Sequence, residues 1–337
     1  MPNRSILTVL SLVLTAFVLG GCGGGSTPAP SPLPQNPPAP PPPAGWSVSG
    51  QLVDTVTRLP LAGVQIAPTW DLAAVTTSAD GSFTVSSTVN PPTNPYRLSI
   101  SGAGIVNRDV WVSWQSGPRP GVTVEAIRNV APFSMDFYRN FVRGTYDATG
   151  APYAVLRWTD SPRFYVKTVD QNGRPVEPEV LQVVREAIGR AVTTFTGGRL
   201  SAAALETGTD TRAAAPGWIM VNIRRDPNER SVCGFAAIGA NPGSITLNND
   251  VCSCGSNKIP GALVLHEVGH ALGFFHVPDR NSVMYPFLPG NCPSGTLSPA
   301  EQYHAGIAYS RPRGNLDPDS DPSTTYSIVA PVLVTDR

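Results

Sequence analysis

The sequence predicts a two-domain chain, a small all-β sandwich followed by an α/β (α+β) domain, and three observations predict it. Between Trp46 and about Arg128, apolar residues alternate in short runs punctuated by turn residues, the period-two pattern of half-buried strands. From about Met135 to Pro312, strand-like runs are interleaved with two longer stretches of three- and four-residue apolar spacing, the period of a helix. The 337 residues, 41% of them hydrophobic, are enough for each domain to have its own core. Lys plus Arg and Asp plus Glu both number 24, so the formal net charge is zero, which argues against a nucleic-acid binder. The 36 prolines and 32 glycines favour turns, linkers and β-structure over an all-helical chain.

The N-terminus reads as an export signal. Arg4 is the only charge in the first 20 residues, and the apolar run Ile6 to Leu19 has the length of a signal core, too short for a typical spanning helix. It ends in Leu19-Gly20-Gly21-Cys22, which resembles a bacterial lipobox and makes Cys22 the candidate lipidated residue. An acylated Cys22 would anchor the chain to a membrane without spanning it. The expected location is therefore that of an exported, membrane-anchored lipoprotein at the cell surface or in the periplasm. Residues 22–45 are dominated by Gly, Pro, Ala and Ser; they cannot build a core, and their proline runs favour a semi-rigid polyproline stalk.

In the sandwich, Trp46, Val48 and Leu52-Val53 begin one strand, and Leu61 to Ile66 form a second. Thr76 to Val85 reads as a hairpin-like unit with Asp80-Gly81 at its turn. Tyr96 to Ile100 and Val110 to Trp114 supply two further strands. In the second domain Ala154 to Trp158 and Arg163 to Val169 read as strands. Glu177 to Phe195 reads as an amphipathic helix, stopped by Gly197-Gly198. Trp218 to Ile223 and Gly243 to Asn248 follow as strands, then a helix from about Pro260 to Phe274. Pro260 suits a first helical turn and Gly273 the stop. A C-terminal helix begins at Ser298, and Tyr326 to Val334 is strand-like. The expected organisation is a signal peptide over 1–21, a linker over 22–45, the sandwich over 46–128, the α/β domain over 135–312 and a tail over 313–337.

His266-Glu-Val-Gly-His270 lies inside the Pro260–Phe274 helix. Spacing of four residues puts both imidazoles on one face, about one turn apart, where two neutral ring nitrogens can bind one Zn²⁺. Glu267 can then act on water beside the metal without being a ligand. Gly273 breaks the helix and lets the chain turn to bring in His276 as third ligand, leaving one coordination position open. The whole pattern H-E-x-x-H-x-x-G-x-x-H fixes five positions and uses three of the chain's four histidines.

On these residues the second domain resembles the metzincins, and among them the matrixins. His266 to His276 matches their zinc-binding consensus, and Ser282-Val-Met-Tyr-Pro286 matches their Met-turn. The resemblance implies a zinc endopeptidase acting on protein or peptide substrates. It makes His266, His270 and His276 the ligands of one catalytic zinc, Glu267 the general base and acid, and Met284 the apolar floor of the site. Tyr285 follows the methionine directly and is not assigned as a ligand. The family's substrate lies extended along an edge strand; Gly243 to Asn248 is the candidate here, with an ordinary interior strand as the other reading. Gly50-x-Leu-Val-Asp54, Pro60-Leu-Ala-Gly-Val64 and Ala79-Asp-Gly-Ser-Phe83 resemble the carboxypeptidase regulatory-like domain, a transthyretin-like sandwich, which implies a fold and no activity.

With Cys22 lipidated, Cys233, Cys252, Cys254 and Cys292 remain, an even number that suggests two disulfides in an exported protein. Cys252 and Cys254 are too close to pair with each other, so each would join Cys233 or Cys292, in either combination. A thiolate metal site lacks the paired C-x-x-C signature. Asp317, Asp319 and Asp321 are the acidic candidates for Ca²⁺, but their spacing by prolines reads as a solvated tail and leaves calcium unsupported. His304 reads as structural or exposed. Residues 129–176 contain no cysteine, so latency by a thiolate from that segment is not supported. Two rivals to the peptidase are a surface binding protein with a vestigial zinc site and a zinc hydrolase of non-peptide amides. The intact Glu267 speaks against the first, and a substrate screen separates the second.

Overall fold

The structure is a computed structural model that describes residues 45–69, 73–147, 151–210, 214–226, 228, 232–252, 258–287, 295–316, 319–323 and 332–336. The signal segment, Cys22, nearly all of the linker, Cys254, Cys292 and Asp317 lie outside these residues. Among the described residues no helix is long and apolar enough to cross a membrane.

The N-terminal region comprises β1 (Trp46–Asp54), β2 (Gln65–Pro68), β3 (Val75–Thr76), β4 (Ser82–Ser87), β5 (Tyr96–Ser101), β6 (Arg108–Val112) and β7 (Gly117–Ala126). Then come α1 (Met135–Arg143), β8 (Arg163–Lys167), α2 (Pro178–Phe195), β9 (Ala204–Gly208), β10 (Trp218–Arg224), β11 (Gly234–Ile238) and β12 (Gly243–Asn248). The chain closes with α3 (Gly261–Ala271), α4 (Pro299–Ser310), β13 (Asp319–Ser320) and β14 (Val332–Asp336).

Two sheets share the first core. One has the order β4-β1-β7 and the other β13-β6-β5-β2-β3. Their inward residues, among them Trp46, Val48, Leu52, Phe83 and Val85 from one and Ile66, Tyr96, Leu98, Ile100 and Val110 from the other, form one buried cluster, the layered packing of aligned sheets. Thr76 to Val85 is not a hairpin: β3 pairs with β2, whereas β4 pairs with β1. The expected turn at Asp80-Gly81 is present, with Gly81 at φ 75°. The chain nevertheless changes sheets before it, because buried Thr77 ties itself back to the β2 side, donating to the Leu61 carbonyl at 2.6 Å and accepting from the Val64 amide at 3.0 Å. β7 runs parallel to β1 at a sheet edge. Its opening Gly-Pro-Arg-Pro-Gly hides the alternation from the sequence, and an edge is where strand prolines are tolerated.

The second core is organised by a sheet of order β14-β11-β12-β10-β8-β9. β9, β8, β10 and β12 are mutually parallel, while β11 runs antiparallel to β12. α2 and α3 pack together, their apolar faces meeting the sheet in one cluster that includes Val184, Ile188, Phe195, Val221, Ile245, Val264 and Val268. Ala154 to Trp158, expected as a strand, is not one. Ala154, Val155, Leu156 and Trp158 are all buried, but the backbone bonds of Val155 go to Asn315 and Gly314 rather than to the sheet. Gly243 to Asn248 is β12, an interior strand between β11 and β10; β11, which the sequence does not announce, lies between β12 and β14.

Asp319 and Asp321 do not lie in a solvated tail. Asp319 is 5% exposed, and its carboxylate accepts from Arg311 Nε at 2.9 Å. Asp321 accepts from Arg108 Nη2 at 2.8 Å. Two buried guanidinium groups hold these carboxylates, which are therefore structural and not calcium ligands.

Candidate metal centre and active site

α3 is terminated by its surroundings as much as by its own sequence. Gly273 has φ 106°, and a Cβ there would lie 1.4 Å from the Leu156 carbonyl oxygen, so only glycine fits the stop. The last carbonyls, which a helix leaves without internal partners, are taken by other elements. Gly239 N–H and Gly273 N–H donate to His270 O, Trp158 Nε1 to Ala271 O at 2.9 Å and Tyr309 Oη to Leu272 O at 2.8 Å. The carbonyls of His270, Ala271 and Leu272 are thus all paired, and the chain leaves the helix in the direction that brings back His276.

His266, His270 and His276 are 5%, 0% and 2% exposed, and one ring nitrogen from each falls within 4.8 Å of the others. His270 Nε2 is 3.1 Å from His266 Nε2 and 3.2 Å from His276 Nε2. Each Nδ1 faces an oxygen acceptor: Val283 O at 2.5 Å for His266, Phe274 O at 2.7 Å for His270, and Asp147 Oδ1 at 2.9 Å for His276. A neutral imidazole has one donor and one acceptor nitrogen. With each Nδ1 donating, the three Nε2 lone pairs are directed at one small buried volume, the donor set that a soft divalent cation takes. Three nitrogens about 2.0–2.1 Å from a tetrahedral centre stand about 3.3 Å apart, so the observed separations fit zinc.

Asp147 accepts twice from His276, from Nδ1 and, through Oδ2, from the backbone N–H at 3.0 Å. Burial pushes the Asp147 carboxyl up, but the side-chain hydrogen bond from His276, its charge and its backbone N–H outweigh this and hold the group below the ordinary Asp value. No local motif marks Asp147; it lies 129 residues upstream of His276 and only the fold brings it there.

Glu267 is fully buried. β11 presses against it: a Cβ on Gly234 would lie 2.2 Å from Glu267 Oε1. Met284 is fully buried, and a Cβ on Gly269 would lie 2.7 Å from Met284 Sδ. The methionine therefore underlies the middle of the His-Glu-Val-Gly-His turn. Its own loop is braced by Glu301, which accepts from Ser282 Oγ at 2.5 Å and from Met284 N at 3.2 Å. The same Glu301 closes the capping box of α4 with Ser298, a pairing its sequence spacing announces.

Residues 256–308 match the family Matrixin (Peptidase_M10). That segment is matrixin-like and carries an intact three-histidine zinc-peptidase site. The match spans α3, the Met284 loop and most of α4, so the segment that carries the matrixin signature also carries the three buried histidines. No curated protein matches the chain. Among solved structures this chain is similar to two variants of a type II cohesin–X-dockerin complex from Acetivibrio cellulolyticus, a C-terminal and an N-terminal interface mutant. Each is 17% identical over 24% of this chain and 55% of that chain, with TM-scores of 0.19 and 0.18. The chain thus covers about half the length of those structures.

Cys233 is bonded to Cys252, with Cα atoms 5.5 Å apart, one of the pairings the sequence left open. The bond ties the residue before β11 to the loop after β12 and closes a loop of 19 residues, a constraint on the unfolded chain worth about 3 kcal/mol. His304 is buried against Ser134 and Ala300, which settles its reading as structural.

Proposed function

We propose that this chain is a matrixin-type zinc endopeptidase, exported and tethered to a membrane through lipidated Cys22, that cleaves extended segments of extracellular or periplasmic proteins. The observation that carries the peptidase chemistry is the convergence of three buried Nε2 atoms beside an equally buried carboxylate, Glu267. The Cys233–Cys252 bond supports an oxidising compartment, and the signal-like N-terminus supports export. Residues 46–128 are proposed to be a carboxypeptidase regulatory-like module, which would stand between the stalk and the enzyme.

His266, His270 and His276 would hold the metal, which when bound supplies Lewis acidity toward a scissile carbonyl and acidifies water. Asp147, Val283 and Phe274 accept from the three Nδ1 atoms and so fix the ring orientation and tautomer before any metal arrives. Glu267 takes a proton from the attacking water and returns it to the departing amine nitrogen. Gly234 allows the β11 backbone to approach this carboxylate without a side chain between them. An extended peptide pairing with β11 would therefore pass beside Glu267, the recognition mode in which main-chain hydrogen bonds align the substrate. Met284 is assigned as the apolar floor that keeps the histidine-bearing turn in place.

Metal content and cleavage of denatured casein decide the matter. One zinc per chain and chelator-sensitive cleavage are expected, with Glu267→Ala retaining the metal while losing about 10²–10⁴ in rate. Full activity in that variant would overturn the role given to Glu267, and a folded chain that takes up no zinc would overturn the site.

A further inference from the structure

We infer that residues 332–336 are an intramolecular peptide ligand of the β11 edge and restrain the protease by occupying the place of its substrate. The inference rests on the peptidase reading of the site and adds its regulation. β14 pairs antiparallel with β11, matching Gly234 with Asp336, Phe235 with Thr335, Ala236 with Val334, Ala237 with Leu333 and Ile238 with Val332. β12 holds the other side of β11, so β14 uses the edge of β11 that would otherwise present unpaired N–H and C=O groups to an incoming strand.

The register gives the pairing its meaning. Gly234 lies so close to Glu267 that a Cβ there would meet Oε1 at 2.2 Å, and Asp336 stands opposite Gly234. The C-terminal end of β14 thus lies at the catalytic end of β11, and the strand extends away from there as a bound peptide would. One edge cannot form two ladders, so β14 and an extended substrate along β11 exclude each other. The sequence Val332-Leu-Val-Thr335 is rich in the β-branched residues that favour strands.

The tail is also held within reach. Asp319 and Asp321 are fastened to Arg311 and Arg108, Trp111 Nε1 donates to the Asp321 carbonyl at 2.8 Å, and β13 pairs with β6. Only residues 322–331 separate this anchor from β14, a span of at most about 36 Å. Such a tether keeps the strand at an effective concentration on the order of millimolar, so a substrate at micromolar concentration must displace it. The restraint acts on binding and should appear in KM more than in kcat.

The experiment uses the zinc-loaded full chain with Glu267→Ala, so that binding is read without cleavage, and a fluorescent peptide with the sequence of residues 328–337 as probe. Leu333→Pro with Val334→Pro removes two successive N–H groups, of which an antiparallel ladder must use one. The expected result is probe affinity at least about tenfold higher in the proline variant than in its parent, as loss of a tethered competitor requires, and a matching fall in KM for casein peptides when Glu267 is intact. Equal probe affinity in the two chains would overturn the inference. Hydrogen exchange on the unsubstituted tail gives a second reading that needs no folded proline variant. Saturating probe should strip protection from 332–336 while β11 stays protected, and retained protection of 332–336 would refute displacement. If the proline variant gains probe binding but cleaves nothing with Glu267 intact, the peptidase reading fails and the occupancy of the edge stands.

Discussion

Asp147 sets what His276 can do. Its two oxygens fix both the ring and the backbone of that residue, at 2.9 and 3.0 Å, so His276 is held with Nε2 pointing at the other two histidines. Asp147→Asn keeps the shape and loses the charge and one acceptor. Zinc affinity is expected to fall about 10–100-fold with little change in the melting profile of the metal-free protein, measured by competition with a chromogenic chelator. His304 is a second residue whose role is fixed by neighbours. Its Nδ1 donates to Ala300 O at 2.7 Å and its Nε2 accepts from Ser134 N at 3.0 Å. Burial lowers its pKa below the ordinary 6.5, against the raising effect of the Ala300 and Ser134 backbone. The unfolded chain then takes up this proton near 6.5 while the folded one resists it, so stability is present above that pH and declines as pH falls below it. Urea midpoints at pH 7.5 and 5.5 should differ less in His304→Phe than in the parent, since the other histidines are common to both. An equal difference would show that His304 does not titrate in this window.

At the scale of elements, the zinc helix was legible and the strand beside it was not. H-E-x-x-H with a glycine and a third histidine fixes a helix, its stop and its return by local spacing alone, and α3 ends at Ala271 with Gly273 in the left-handed region. β11 escaped notice because Gly234-Phe-Ala-Ala-Ile238 is short and weakly alternating, and because nothing local says which of two neighbouring strands lies against Glu267. The fold makes that choice by setting Gly234 of β11 against the Glu267 carboxylate. Asp147 and Gly234 were invisible for the same reason, since both act across tertiary contacts. Thr77 likewise overrode a correct turn at Gly81 and sent β3 and β4 to different sheets. Gly273 offers a sharp test of the legible part. Gly273→Ala would put a methyl into the Leu156 carbonyl at 1.4 Å and force an alanine to φ 106°. The cost should well exceed the roughly 1 kcal/mol of a compatible glycine exchange, and the variant should lose stoichiometric zinc because the segment to His276 must move. A variant of unchanged stability with one bound zinc would mean that the stop is not set by this contact.

For the molecule as a whole, the β-rich region and the zinc-site region belong to one compact unit, and the residues that join them are charged and buried. Arg311, at the end of α4 and fully buried, reaches Asp319 with Nε and Thr55 Oγ1 with Nη1 at 3.2 Å. Thr55 in turn donates to Ala126 O at 3.1 Å. Arg108 of β6 contacts Asp319 at 4.0 Å and binds Asp321 at 2.8 Å, and its Nη1 donates to the Glu125 carbonyl at 2.5 Å. Asn315 Nδ2 completes the cluster on Asp321 Oδ1 at 2.9 Å. A single buried ion pair is weak evidence for stability, because desolvation offsets most of its attraction. Removing one member is a different matter, since the remaining charge stays buried without compensation. Asp319→Ala withdraws the carboxylate from two guanidinium groups at once and is expected to cost about 3–5 kcal/mol, read from urea unfolding followed by tryptophan fluorescence. Because the cluster bridges the two cores, the loss should also split the unfolding into two transitions, with Trp46 in one core and Trp158 in the other reporting at different midpoints. The same substitution loosens the anchor that holds β14 near β11, so the protease should become more active toward peptides at temperatures where its own core is still folded. A destabilised variant that unfolds in one step with unchanged KM would show that the cluster supports the fold locally and couples neither the two cores nor the tail.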